Sequence, residues 1–198
     1  MEKKINLKRI VMEVFGGCNY TCQMCPQTNP GRGKGFTRKM PLKEFERILD
    51  EIVPKHGRPQ INLEGSGEPT MAKDLPEYIK AVKKRNLKCF MYCNGARLNG
   101  QFMKDVVDAG IDFIRFSVIG YNRELYKKWM NIDNFELILK NLSELKSYVN
   151  LSKSKTKVST YHLITNNDFI NEEIELYQKN VINVVDSIAY IWKMHNWR

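Results

Sequence analysis

Gly16-Gly17-Cys18-Asn19-Tyr20-Thr21-Cys22-Gln23-Met24-Cys25-Pro26 is the stretch from which the rest of the chain can be read. Its cysteines are spaced C-x3-C-x2-C, so one short loop offers three thiolates. A structural zinc site takes four ligands in closed tetrahedral geometry. A fourth would have to come from afar, with His56, His162 and His195 as the candidates. A cubane iron–sulfur cluster also usually takes four cysteines. Three ligands leave one iron with an open position, where a substrate or cofactor can bind.

Working outward from the loop, strand-like and helix-like runs alternate. Residues 9–15 (Arg-Ile-Val-Met-Glu-Val-Phe) form a β-rich run that Gly16-Gly17 closes. Residues 41–53 have a helical period, with Leu42, Phe45, Ile48, Leu49 and Ile52 on one face. A short strand over Gln60–Leu63 precedes a glycine turn. A helix over 75–85 follows, with Pro76 tolerated in its first turn. The remaining expected strands are 88–92, 112–118, 155–163 and 187–192. The remaining helices are 99–109, stopped by Gly110, then 122–130, 134–148 and 171–179. Six strands alternating with at least five helices predict an α/β fold with parallel pairing. In such folds the chemistry sits on loops at the C-terminal strand ends, which is where the cysteines lie.

Composition bounds the function. The 198 residues are 42% hydrophobic and 27% charged, enough for one domain with a sizeable core. No apolar run is long enough to span a bilayer, and no apolar segment follows the charged start as a secretory signal would. Five cysteines, three of them clustered, suit metal binding in a reducing compartment better than disulfides. A cytoplasmic protein is expected. Cys89 and Cys93 read as small core residues of one strand. The net charge of +10 is spread along the chain, with a denser run at Arg32, Lys34, Arg38 and Lys39. No aromatic-interleaved basic stripe or helix-turn-helix pattern accompanies it, which argues against nucleic acid as a partner. A basic loop beside a redox centre would instead steer an acidic protein reductant toward it.

The cysteine loop after a first strand, in a chain of alternating strands and helices, resembles the radical S-adenosylmethionine (SAM) enzymes from about residue 9 to 197. The resemblance implies a partial (β/α)6 TIM-like barrel of parallel strands with outer helices. It also implies a [4Fe–4S] cluster on Cys18, Cys22 and Cys25, whose fourth iron is chelated by the amino and carboxylate groups of SAM. A flavodoxin- or ferredoxin-type electron donor follows from the same family.

Further motifs stand in order along the chain. Glu64-Gly65-Ser66-Gly67-Glu68-Pro69 resembles the family's Gly-Gly-Glu element, with Ser66 in place of the first glycine. Gly67 would let backbone approach the ligand, and Glu68 would pair with the ammonium of SAM. Met24 stands where the family usually has an aromatic near the adenine. Cys93-Asn94-Gly95 resembles the Thr-Asn-Gly turn, with cysteine for threonine. Ser117 stands where related enzymes place a ribose-binding hydroxyl. Thr160, His162 and Tyr190 could line the cofactor pocket.

Residues 183–197 resemble the stretch before an auxiliary-cluster domain in the SPASM branch. No cysteine follows Cys93, and the sequence stops at Arg198. The expectation is therefore a radical SAM core over residues 1–198, either truncated after the sixth strand or working with another chain. Two classes of function remain. One is an enzyme that cleaves SAM reductively and abstracts hydrogen from a peptide, a protein or a sugar-like small molecule. The other is a non-catalytic cluster-bearing accessory domain. No side chain is assigned as a general acid or base, because the cofactors carry this chemistry.

Overall fold

The computed structural model describes residues 6–26, 38–165, 167–185 and 187–193; the side chains of His162, Asn167, Val184 and residues 187–193 lie outside that description. The strands are β1 (Arg9–Val11), β2 (Gln60–Leu63), β3 (Cys89–Cys93), β4 (Phe113–Phe116), β5 (Lys157–Ile164) and β6 (Ser187–Lys193). The helices are α1 (Leu42–His56), α2 (Leu75–Lys84), α3 (Gly100–Asp108), α4 (Arg123–Met130), α5 (Phe135–Leu151) and α6 (Ile170–Asn180). All five strand pairs are parallel, and the order in the sheet is the order in the chain. Parallel neighbours need crossover connections, and the helices supply them. This is the expected α/β architecture, a partial barrel.

Strands β2 to β5 present alternate side chains to the helices. Ile61 and Leu63 of β2, Cys89, Met91 and Cys93 of β3, Ile114 and Phe116 of β4 and Val158 of β5 form that outer face. They pack into one core with Phe45 and Leu49 of α1, Tyr78, Ile79 and Val82 of α2, and Ile138, Leu142 and Leu145 of α5. Cys89 and Cys93 are thus core residues, as their pattern indicated. Helix ends follow local chemistry. Asn122 Oδ1 accepts from Leu125 N at 2.8 Å and caps α4. Asn131 ends α4 in the left-handed conformation.

The other face, called the inner face below, follows the register Val11–Asn62–Phe90–Phe113–Lys157 and, one pleat on, Tyr92–Arg115–Ser159. β1 departs from expectation. Its ladder ends at Val11, although Met12 N still donates to Asn62 O at 2.9 Å. Beyond it the chain leaves β2, and Phe15 forms an antiparallel bridge with Lys39.

Candidate cluster and cofactor site

The cysteine loop leaves the end of the first strand and docks on residues more than a hundred positions downstream. Tyr20, between the first two cysteines, is buried. Its hydroxyl accepts from Asn134 Nδ2 at 3.1 Å and from the Tyr126 hydroxyl at 3.2 Å. Asn131 Nδ2 donates to Thr21 Oγ1 at 2.9 Å, and Gln23 N donates to Trp129 O at 2.9 Å. Cys22 Sγ lies 3.9 Å from Met130 Sδ. The end of α4 therefore forms the floor of the loop. Sequence reasoning missed this, because nothing local in residues 126–134 points to a partner that far away.

Two further loops meet the cysteine loop. Glu68 N donates to Gly17 O at 2.8 Å, and Gly67 N donates to Glu13 Oε1 at 2.8 Å. A Cβ on Gly67 would overlap the Phe15 carbonyl oxygen. Glycine is required here because two backbones touch, whatever binds above them. Asn94 Nδ2 donates to Asn19 Oδ1 at 2.8 Å and lies 3.9 Å from Cys18 Sγ. Its own turn needs Gly95, whose φ is +78° and whose Cβ would overlap the Phe116 ring. From the helix layer, Asn141 of α5 donates to Gly95 O at 2.9 Å and is only 1% exposed. A polar residue on the apolar face formed by Ile138, Leu142 and Leu145 was the available signal for that contact.

Glu68 is 3% exposed and strongly engaged. Oε1 accepts from Thr70 N at 3.1 Å and from Thr70 Oγ1 at 2.5 Å, while Oε2 accepts from Asn94 N at 2.7 Å. Burial raises its pKa, and those donors pull it back down. Its visible work is to brace the β2 loop against the β3 turn. A carboxylate has about four lone-pair positions, so these donors leave room for another N–H.

Burial and mutual repulsion both act on the thiols of the loop. Burial, then the neighbouring Cys18 and Cys25, push Cys22 up to about 12. Cys18 is raised chiefly by burial, with Glu68 and Cys25 adding to it, against the hydrogen bond from Tyr20 N. Each thiolate would repel the next, and a metal's positive charge is what makes such thiols ionise. Among the described residues no three cysteine, histidine or carboxylate groups converge to hold a single ion. A cluster instead takes each thiolate on its own iron. Three free thiols on one loop are the donor set that an iron–sulfur cluster takes, so the residues present fit one.

The remaining expected site residues are scattered in status. Met24 is half-buried and Ser66 exposed in their loops. Ser117 is half-buried, and its backbone N donates to Cys93 O at 2.7 Å. Thr160 needs a correction: its hydroxyl lies 2.7 Å from the Tyr177 hydroxyl of α6, so it faces the helices. The inward residue of β5 is Tyr161, which stacks on Tyr92 at 5.7 Å. The phase was unreadable because β5 is buried on both faces and carries a register shift between Thr160 and His162. The side chains of His162 and Tyr190, like His195, Arg32 and Lys34, lie outside the described residues. Lys39 pairs with Asp74 at 2.7 Å across an exposed surface, which blunts its share of the basic run.

A sequential parallel α/β sheet with a three-cysteine loop after its first strand defines a partial-barrel enzyme class. Residues 12–184 match the family described as Radical SAM superfamily, and the chain belongs to it. That superfamily implies a [4Fe–4S] cluster and SAM as cofactors. The chain is 31% identical over 134 residues to a probable GTP 3',8-cyclase of Thermococcus kodakarensis, covering 67% of this chain and 41% of that protein. It is 28% identical to an AdoMet-dependent heme synthase of Oleidesulfovibrio alaskensis, covering 69% and 34%. It thus spans well under half the length of these curated relatives. Among solved structures, Streptococcus suis SuiB bound to precursor peptide SuiA superposes with a TM-score of 0.72 at 17% identity, over 96% of this chain and 40% of that one. Native anSMEcpe with bound AdoMet gives 0.69 at 15%, over 94% and 52%. These last two likenesses concern the fold alone. No helix among the described residues is long and apolar enough to cross a membrane.

Proposed function

We propose that residues 1–198 form a radical SAM core in which Cys18, Cys22 and Cys25 hold a [4Fe–4S] cluster and the loops after β2, β3 and β4 hold SAM. When bound, the two would supply one chemistry: reductive cleavage of the C5'–S bond of SAM and abstraction of hydrogen from a substrate. The protein's own part is positioning and exclusion of water. Gly67 and Glu68 offer a backbone carbonyl and a buried carboxylate to the ammonium of SAM. Ser117 offers its hydroxyl to the ribose, Met24 its thioether to the adenine, and Asn94 ties this pocket to the first cysteine.

The observation that carries the reading is the continuous chain Cys18–Asn94–Glu68, in which one side chain bonds to the cysteine loop while its backbone bonds to the glutamate. A peptide or a small molecule is the substrate class. The first is motivated by the SuiB–peptide complex and the second by the GTP 3',8-cyclase relative. A flavodoxin- or ferredoxin-type donor supplies the electron, steered in part by the basic run that includes Arg38.

The test is anaerobic reconstitution. About four irons and four sulfides per chain are expected, with slow SAM cleavage on reduction. Stoichiometric zinc without sulfide would sink the reading. Glu68→Gln with the cluster intact should weaken SAM binding by about 1.5–3 kcal/mol, the worth of a charged hydrogen bond.

A further inference from the structure

Arg115 sits on β4, two residues before Ser117, on the inner face and in register with Tyr92 and Ser159. Its guanidinium carbon lies 5.2 Å from the Tyr92 ring centre, 5.1 Å from Tyr161 and 5.0 Å from Phe113. Aromatic faces on this scale hold a guanidinium in place without neutralising it. Its Nε is buried and has no hydrogen-bond partner among the described residues. The ion pairs among the described residues do not include it. The Tyr161 hydroxyl is a hydrogen-bond partner of its guanidinium.

A fixed guanidinium with an unmatched Nε–H is built for a planar or tetrahedral oxyanion, which such a fork can take in two parallel bonds. Leaving that donor buried and unpaired is unfavourable, so the site is completed by something that arrives. Arg115 lies one pleat below Asn94 and Ser117, roughly 7 Å along the strand. It therefore addresses the space beneath the loops assigned to SAM.

We infer that Arg115, held between Tyr92 and Tyr161, anchors an oxyanion of the substrate, a carboxylate or a phosphate, on the inner face of the sheet. The site itself stands on the geometry above; naming its occupant as the substrate rests on the proposed function. Glu64 follows β2 and shares the field of Arg115 and Arg9. Its negative charge disfavours a dianion beside it, so a carboxylate should bind more tightly than phosphate.

The test uses the full chain labelled with ¹⁵N-arginine, titrated with sodium acetate, inorganic phosphate, or sodium chloride at equal ionic strength. The Arg115 Nε–H resonance should shift saturably with the oxyanions and not with chloride. Arg115→Lys, which keeps the charge but loses the fork, should weaken acetate binding at least tenfold while circular dichroism stays native. Tyr161→Leu, which removes one wall and leaves the charge, should weaken it several-fold. Acetate tighter than phosphate assigns a carboxylate substrate, and the reverse assigns a phosphate ester. No saturable shift in the wild-type chain, or unchanged binding in both variants, overturns the anchor. Neither the cluster nor SAM is needed for this readout. A chain that loads no iron yet titrates acetate through Arg115 loses the proposed function and keeps the anchor.

Discussion

The two faces of the sheet are made from alternate residues of the same strands, yet they differ in kind. Toward the helices stand Ile61, Leu63, Met91, Ile114, Phe116 and Val158, all fully buried. On the inner face Asn62, Glu64, Tyr92, Arg115 and Tyr161 stand beside Val11, Phe90 and Phe113, with polar contacts such as Gln60 Nε2 to Asn62 Oδ1 at 2.6 Å and Asn62 Nδ2 to Glu64 Oε1 at 3.0 Å. The first face has the composition that stabilises a fold by excluding water. The second keeps polar groups in position at some cost to stability, the usual mark of a working surface. The difference teaches that one strand can carry stability and recognition in alternate side chains, and each claim can be tested residue by residue.

The largest effect should come from the loop that crowns both faces. Cys22→Ala should abolish iron loading and SAM cleavage together while leaving the circular dichroism spectrum native; retained cluster absorbance would remove Cys22 from the donor set. Next is the outer face. Phe116→Ala should cost about 3–5 kcal/mol, read as a fall in Tm of roughly 6–20 °C, since Phe116 is fully buried and also underlies Gly95. A small fall would mean that the core can close over the gap.

Asn141→Ala sharpens the boundary between fold and site. It removes two hydrogen bonds, to Gly95 O and Ala96 O, leaving Leu98 N as the donor to the buried Gly95 carbonyl; the loss is about 1–3 kcal/mol for the two, and it should loosen the Asn94 turn enough to weaken cluster retention. Stability loss with no change in cluster half-life would confine Asn141 to the core. The smallest effect is expected for Thr160→Val, which removes only the hydrogen bond to Tyr177. About 0.5–1.5 kcal/mol of stability should go, with SAM affinity unchanged. A drop in SAM affinity would put Thr160 back among the cofactor-facing residues.

What the sequence made legible was local. The cysteine spacing, the glycine-rich turn after β2 and the Asn-Gly turn after β3 lie in runs whose chemistry and neighbours are adjacent in the chain. The α1 period gave its buried residues Phe45 and Leu49 directly. Phase failed on β5, where Val158, Ser159 and Thr160 are all buried and alternation carries no information. The seat of the cysteine loop on Trp129, Met130 and Asn131 was also hidden, because such contacts are set by how strands and helices close in space. Arg115 was passed over for a related reason. A charged residue in a strand reads as solvent-facing until its aromatic neighbours from two other strands are known.

The loop's anchors have a consequence for the protein's birth. Tyr20 is tied down by Asn134, 114 residues later. At the usual pace of about 5–20 residues per second, a ribosome needs roughly 6–23 s to make that anchor after Tyr20 itself. Through that interval the nascent chain carries Cys18 and Cys22, and soon Cys25, without their seat on α4. Oxidants and stray metal ions have first access to these thiols, so cellular assembly of the site is a race that opens well before the barrel is complete.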